Sequence, residues 1–258
     1  KNTNKEANKE ANKKVITKVV KKQDVVKKQD SEGKKDYETV FDRSPNLNVT
    51  VEHFKLQDND LGLLKFRLRR LGAGLFIPNI KINNKLFSMT ASASSQWLDK
   101  KQVSHVTGKL SSDDWGELLH QLYLPKGLSK GKGSMDFNLA WNGFLTDPKV
   151  STLDGKAGFS LKDGVLDQVN MGLGRLLGLV SLDSIVKRLS LNFSDLTGKG
   201  VSFNSFSGDF DLKDGVAKTN NVKMSGPSLD FDMKGDVDLA NKTIDQIITV
   251  MPNVGGGL

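Results

Sequence analysis

Residues 135–142 read MDFNLAWN, and this short stretch shows the pattern that decides the fold. Met135, Phe137, Leu139 and Trp141 alternate with polar or small residues. Successive side chains of a β-strand point to opposite faces, so this spacing predicts a strand with one apolar and one wet face. Strands of this kind are typical of antiparallel sheets that face water on one side.

The same period of two continues on both sides of this stretch. Alternating runs occur at 47–51, 64–69, 87–93, 159–165, 210–216, 229–239 and 244–250. Regularly spaced short strands without long helices between them favour an all-β chain. We therefore predict a mainly β fold of ten to twelve strands, a long antiparallel meander that forms an open, curved β-groove.

Two seven-residue segments are nearly identical and suggest where hairpins turn. The segments are FSLKDGV at 159–165 and FDLKDGV at 210–216. Each begins with a strand-like run and ends with Asp-Gly and Val. Asp-Gly is a favoured pair for a type I′ turn, because both central residues of that turn need positive φ. We predict hairpin turns at 163–164 and at 214–215.

Two segments have helical spacing instead. In the first, near 112–123, Ser112 is the expected N-cap, Asp113 and Asp114 suit the first turn, and Pro125 ends the helix. The second, near 168–188, reads as two short amphipathic helices folded against the groove as a lid or end-plug. A helix that only completes a core would have the same pattern. The predicted lid side chains are Leu173, Leu176, Leu177, Val180, Leu182, Ile185, Val186 and Leu189.

Charge is concentrated at the start of the chain. The net charge is +8, but residues 1–35 contain twelve lysines against five acidic residues, which leaves only +1 for 36–258. We interpret 1–44 as a lysine-rich, low-complexity linker, because few apolar residues and high charge cannot offset the entropy of ordering. Residues 45–258 form the predicted β-groove domain. Its near-neutral charge argues against a nucleic-acid partner.

No residue pattern in the chain predicts catalysis or metal binding. The histidines His53, His105 and His120 are scattered, there is no cysteine, and no nucleophile, phosphate-loop or metalloprotease motif occurs. The acidic residues of 209–238 recur every second position with lysines between them, which is typical of a solvated strand face. We therefore expect no catalytic residue, no metal and no cofactor, and a protein that is not an enzyme.

The sequence resembles a known family, most specifically at 172–219 and more weakly back through 108–128 and 133–143. GLGRLLGLVSLDSIVKRLSLNFSDLTGKGVSFNSFSGDFDLKDGVAKT, at 172–219, is similar to the C-terminal region of the AsmA-like proteins of Gram-negative bacteria. The likeness continues through GPS at 226–228, GDVDL at 235–239 and DQIITVMP at 245–252. It covers about 45–252 and leaves out the lysine-rich start. Family members continue further at both ends, so the chain is expected to be a C-terminal piece of a longer protein.

The resemblance implies a function for the apolar side of the sheet. AsmA-like proteins are expected to be anchored to the inner membrane, to cross the periplasm as an elongated trough, and to carry phospholipid towards the outer membrane. The expected partners are phospholipid and, through other parts of the full-length protein, both membrane surfaces; protein partners stay open. The alternative is a closed β-sandwich, a non-transporting structural or interaction module that supports outer-membrane assembly. The predicted groove lining is Met135, Phe137, Leu139, Trp141, Phe159, Leu161, Phe203, Phe210, Leu212, Leu229, Phe231 and Met233.

Overall fold

The computed structural model describes residues 46–253, apart from 72–73, 99–100, 125–126 and 168–199. All described residues belong to one unit, Pro45–Leu258. In chain order the strands and helix are β1 (Leu47–Val51), β2 (Lys55–Leu56), β3 (Asn59–Asp60), β4 (Leu63–Leu71), β5 (Gly74–Asn83), β6 (Phe87–Leu98), β7 (Lys101–Ser112), α1 (Trp115–Gln121), β8 (Leu128–Asn142), β9 (Asp154–Leu166), β10 (Val201–Lys213), β11 (Val216–Ser225), β12 (Leu229–Asp238) and β13 (Thr243–Pro252). A 3₁₀ turn at Val150–Thr152 precedes β9.

Eleven of these strands form one antiparallel sheet. Its order is β1, β4, β5, β6, β7, β8, β9, β10, β11, β12, β13, so each strand after β4 pairs with the next in the chain. The short strands β2 and β3 pair only with each other. The sheet is open, with β1 and β13 as its edges in the described part of the chain. The predicted mainly β meander is confirmed, and the two facing sheets of the sandwich alternative are not found among the described residues.

Irregular pairing bends several strands of the sheet. The register shifts between β4 and β5, between β5 and β6, between β10 and β11, and between β11 and β12. An extra residue on one side of such a pair bends the strand and increases its twist. These shifts therefore curve the sheet at β4–β6 and again at β10–β12, as an open groove requires.

Helix α1 and the β2–β3 hairpin lie at one end of the sheet, which we call the α1 end. Strand β9 ends and strand β10 begins at this end. At the opposite end, the hairpin end, the connection from β8 to β9 contains the 3₁₀ turn. There Asp214 and Gly215 have φ of 48° and 78° and join β10 to β11, so the predicted type I′ turn is confirmed.

The second predicted hairpin turn is wrong. Asp163 and Gly164 lie inside β9, which continues to Leu166 and pairs with β8 on one side and β10 on the other. Asp163 does have a left-handed φ of 53°, as the sequence suggested. Here that conformation lies inside a continuous strand, because neighbouring strands pair on both sides of it and keep the same register before and after Asp163.

Helix α1 is shorter than predicted and has a different cap. It covers Trp115–Gln121, whereas Ser112 is the last residue of β7. The N-cap is Asp114, whose side chain accepts a hydrogen bond from the Glu117 N–H at 3.0 Å. Ser112 instead accepts from the Asp114 N–H and thereby fixes the cap. The predicted helices near 168–188 lie outside the described residues.

The hydrophobic core lies between the sheet and α1. Leu118 is completely buried and Trp115 nearly so, and both belong to one cluster with Phe87, Phe203 and Phe231. Leu61, just before β4, joins the same cluster. One face of a single-layer sheet is thus covered at the α1 end by a short helix and the β2–β3 region.

Candidate functional site

One row of apolar side chains crosses all eleven strands of the main sheet. Directly paired residues of an antiparallel ladder point to the same side, so the register identifies the members of one face. The row is Val51, Leu64, Ile82, Met89, Leu110, Met135, Phe159, Gly208, Val222, Met233 and Ile248. We call this side of the sheet the apolar face. Ten inter-strand steps give a continuous apolar path of about 48 Å.

A second row on the same face is also apolar throughout. It crosses nine strands, from β5 to β13: Ile77, Ala93, Val106, Leu139, Gly155, Leu212, Ala217, Val237 and Ile244. The two rows are four or five residues apart along each shared strand, so the apolar face has width as well as length. The path runs perpendicular to the strands, along the long dimension of the sheet.

Eleven of the twelve predicted lining residues reach the apolar face by simple alternation. They lie on β8, β9, β10 and β12, and their register partners belong to the rows above or to the neighbouring rows. Phe203 is the exception, because it is an odd number of residues from Phe210 on the same strand and strict alternation would put it on the opposite face.

Phe203 reaches the apolar face because the alternation of β10 is interrupted after it. Asn204 and Ser205 are both exposed, after which Phe206 returns to the apolar side. The Phe203 and Phe206 rings then contact each other edge to face, with centroids 5.6 Å apart. In the neighbouring strand the left-handed Asp163 precedes Gly164, which lies directly against the Phe203 ring. Irregularities at matching positions of two strands, with no shift of their register, therefore keep the face apolar up to the α1 end.

Burial divides the twelve residues into two equal groups. Trp141, Leu161, Phe203, Leu229, Phe231 and Met233 are all less than 9 % exposed and belong to packed structure. Met135, Phe137, Leu139, Phe159, Phe210 and Leu212 are only half-buried. The second group is the part of the apolar face that a ligand could reach without unpacking the core.

The helix that covers the apolar face in the described structure is α1. Leu118 and Trp115 insert into the core cluster, and Asn59 of β3 donates a hydrogen bond from Nδ2 to the Gln121 carbonyl oxygen at 2.8 Å. The sequence predicted a helix here but assigned it no covering role. The eight predicted lid residues, at 173–189, lie outside the described residues.

The opposite side of the sheet, the polar face, carries exposed ion pairs between neighbouring strands. Lys156 Nζ lies 2.9 Å from Asp211, and Lys218 Nζ lies 3.2 Å from Asp236. The hydrogen bond and charge of the Asp211 carboxylate raise the pKa of Lys156. Exposed pairs contribute little stability each, but they mark this face as the one in water.

A broad concavity of the described structure does not coincide with the predicted groove. It has a volume of about 1220 Å³ and extends from β7 to β13. Most of its lining side chains belong to the polar face, including Lys156, Asp211 and Asp236. Of the predicted lining it includes only Phe137, Phe159 and Phe210. The apolar face is therefore identified by the rows of apolar residues that continue across the strands, and not by this concavity.

A buried polar cluster interrupts the apolar face at the hairpin end of β6 and β7. Gln102 donates from Nε2 to Ser95 Oγ at 2.6 Å, and Ser104 donates from Oγ to the Gly143 carbonyl at 2.7 Å. Ser104 is completely buried. These bonds hold the loop after β8 against the sheet, and they limit the apolar rows at this corner.

The candidate list from the sequence omitted the first half of the face. Val51, Leu64 and Met89 belong to alternating runs that the sequence did show, but they were not assigned to the groove. Ile82 and Leu110 were harder to recognise, because β5 contains Pro78 and a bulge, and β7 mixes serine, histidine and glycine with its apolar residues. Only the register joins them to the rest of the row.

The described residues contain no grouping of three histidine, aspartate or glutamate side chains that could hold a metal ion. In the same part of the chain, no helix has both the length and the apolar character needed to cross a membrane. The twelve lining residues bring together hydrocarbon and aromatic side chains rather than titratable groups. Such a face can bind apolar ligands, and its lining side chains offer no group for bond-breaking chemistry.

Comparison with known proteins agrees with the apolar character of this face. The family model described as YhdP protein matches residues 4–258, so the match includes most of the lysine-rich start that the sequence resemblance had left out. Over 186 residues the chain is 26% identical to the intermembrane phospholipid transporter YhdP of Escherichia coli (strain K12). This match covers 71% of this chain and 14% of that protein. That relative is a phospholipid transporter by name. No solved structure matches the chain. The chain therefore belongs to the YhdP protein family.

Proposed function

We propose that residues 45–258 are a segment of a conduit that carries phospholipid between the inner and outer membranes, with acyl chains held against the apolar face. The observation that carries this proposal is the unbroken row of apolar side chains across all eleven strands. Monomeric proteins rarely maintain so long an apolar surface without a use for it. The named relative, which acts on phospholipid between membranes, supplies the substrate class.

The energetics of such a face suit transport. Each CH₂ group removed from water contributes about 0.8 kcal/mol, so a sixteen-carbon chain gains on the order of 10 kcal/mol before ordering costs. The rows change little in character from β4 to β13, and this gain therefore stays nearly constant as a chain moves across the strands. The face holds lipid firmly against water while it allows movement along the sheet. No catalytic step, metal or cofactor is part of the proposal.

The half-buried residues are the proposed acyl contacts. Phe137 and Leu139 on β8 and Phe210 and Leu212 on β10 lie on either side of β9, between the packed α1 end and the hairpin end. The buried group, which includes Phe203 and Phe231, supports them as core. The segment at 173–189 connects β9 to β10 at the α1 end, and we propose that it acts there as a lid or end-plug.

The surroundings of the segment are also part of the proposal. The chain spans about 14% of the length of its curated relative. We place it in the periplasm of a Gram-negative bacterium, within a longer protein that is anchored to the inner membrane. Other parts of that protein would contact the two membrane surfaces, and the described sheet would continue the lipid path between them.

The experiment compares one added carboxylate on each face of the sheet. Phe210→Asp puts a charge on the apolar face, and Ser160→Asp on the adjacent strand puts the same charge on the exposed polar face. Each protein is incubated with phospholipid vesicles, repurified and analysed for bound phospholipid by native mass spectrometry. A charge in an apolar groove costs several kcal/mol unless water reaches it, so Phe210→Asp should lose most of the bound lipid.

Thermal melting of both variants controls for folding, and Leu139→Asp provides a second position on the apolar face. Ser160→Asp should retain the lipid content of the unchanged protein. Folded Phe210→Asp and Leu139→Asp proteins that both retain the full lipid content would contradict the proposal.

A further inference from the structure

Strand β13 is a long and regular edge of the main sheet. Its ten residues pair with β12 without a register shift, from Leu229 opposite Pro252 to Asp238 opposite Thr243. Within the described residues no strand pairs with its other side. Natural edge strands are usually protected by lysines, bulges or shortness, and β1 at the opposite edge has only five residues. Strand β13 has no lysine, no arginine and no bulge, and its one proline, Pro252, is its last residue.

The hydrogen-bonding groups on the free side of β13 can be identified from the ladder. Asn253 donates its N–H to the Ser228 carbonyl at 3.0 Å, which fixes the alternation of bonded and non-bonded pairs. Counting back in twos, the N–H and C=O groups of Ile244, Gln246, Ile248 and Val250 point away from β12. Pro252 occupies the next position of this series, where its missing N–H costs no bond to β12. These outward N–H and C=O groups form a regularly spaced row with which a further strand could pair.

The polar face carries a row of alternating charge that ends at β13. Lys156, Asp211, Lys218 and Asp236 are register partners on β9 to β12, and each lysine forms an ion pair with an aspartate of the row. The next partner is Asp245 on β13, directly opposite Asp236. Like charges opposite each other are unfavourable, and no ion pair of Asp245 occurs among the described residues. A cation on the far side of β13 would restore the alternation.

We infer that β13 accepts an extended segment of a partner polypeptide as a further antiparallel strand, with a lysine or arginine of that segment opposite Asp245. The partner's apolar side chains would lie opposite Ile248 and Val250 and extend the apolar face by one strand. On the polar face, Ile247 is 60% exposed and would be covered by the added strand. The inference concerns protein recognition and does not depend on lipid binding.

The test uses two fluorescent ten-residue peptides and the full 258-residue chain. Valine at odd positions alternates with threonine at even positions, so that valines face the apolar side when position 1 lies opposite Pro252. Position 8, opposite Asp245, is lysine in one peptide and glutamate in the other. Binding is measured by fluorescence anisotropy, and amide hydrogen exchange of the chain locates the contact.

The lysine peptide should bind at least about fivefold more tightly than the glutamate peptide, since one cross-strand charge pair changes the affinity by roughly this factor. Binding should slow exchange at the amides of Gln246, Ile248 and Val250. Asp245→Lys should reverse the preference. Asp58→Lys makes the same change of charge in the β2–β3 connection and should leave the preference unchanged.

Three results would overturn the inference. The first is the absence of saturable binding of either peptide. The second is equal affinity for both peptides, or binding without protection of the β13 amides. The third is a dimer of the free chain, seen by sedimentation and with the same amides protected, because a second copy would then occupy the edge.

Discussion

Gly164→Ala tests whether the irregular backbone at 163–164 of β9 serves the packing of Phe203. Gly164 is buried, and its φ is not in the left-handed range that would itself strain alanine. A Cβ at this position would overlap Cζ of Phe203 and lie 2.8 Å from its Cε1. Ordinary carbon contacts are about 3.5–4.0 Å, so the ring must move. Phe203 is only 2% exposed and has no free space to move into.

We expect Gly164→Ala to lower the free energy of unfolding by about 2 kcal/mol, the middle of the range for overpacked cores. Phe203→Leu alone should cost about 1–2 kcal/mol through the contacts it loses. In the double variant the smaller leucine makes room for the new methyl group. Its cost should therefore be smaller than the sum of the two single costs by at least about 1 kcal/mol, because the two sites share one contact.

Urea unfolding followed by circular dichroism measures all four proteins. Gly158→Ala is the matched control on the same strand, since its Cβ would meet only the movable carboxylate of Asp209 on the polar face. Its cost should stay within about 0.5 kcal/mol. If 163–164 were a hairpin turn, Gly164→Ala would be unfavourable through the backbone and Phe203→Leu would not relieve it. Additive costs would thus refute the packing of Phe203 over Gly164.

Three further predictions follow from single contacts. Asp114→Ala removes the N-cap of α1 and should lower stability by about 1 kcal/mol in the same urea assay, whereas Asp114→Asn should retain most of it. Leu118→Ala should cost about 2–5 kcal/mol, because Leu118 is completely buried, and a cost below about 1 kcal/mol would mean that α1 does not pack on the core. Hydrogen bonds from Lys213 and from the Asp214 N–H lower the pKa of Asp154. The ionised Asp154 therefore contributes stability above a pH of about 4, and this contribution is lost at lower pH. Asp154→Asn should be less stable than the unchanged protein at pH 7 and similar to it near pH 2.

The sequence was sufficient to predict the regular strands and which side of them is apolar. In β8 and β12, alternation alone placed every predicted lining residue on one face, because a regular strand has a period of two. Asp214-Gly215 was also recognisable, since a type I′ turn has few alternatives in sequence. These features depend on local chemistry that one short segment contains.

Features that depend on pairing between strands could not be predicted. Asp163-Gly164 has the same letters as a real turn, but β8 and β10 pair on both sides of it and keep the strand in the sheet. The position of Phe203 depends on an interrupted alternation in β10 that no local pattern reveals. Sequence also could not show that Phe231 is core while Phe210 is half-buried, because both alternate in the same way and differ only in what covers them.

The central claim is that phospholipid lies against the apolar face and not the polar face, and adjacent positions of β10 test it most directly. A photoreactive amino acid is incorporated at Phe210, on the apolar face, or at Asp209, on the exposed polar face, in the full-length protein in living cells. After illumination, the purified protein is analysed by mass spectrometry for covalent phospholipid. The account predicts adducts from position 210 and almost none from position 209. Equal adducts from both positions, or adducts from position 209 alone, would contradict it.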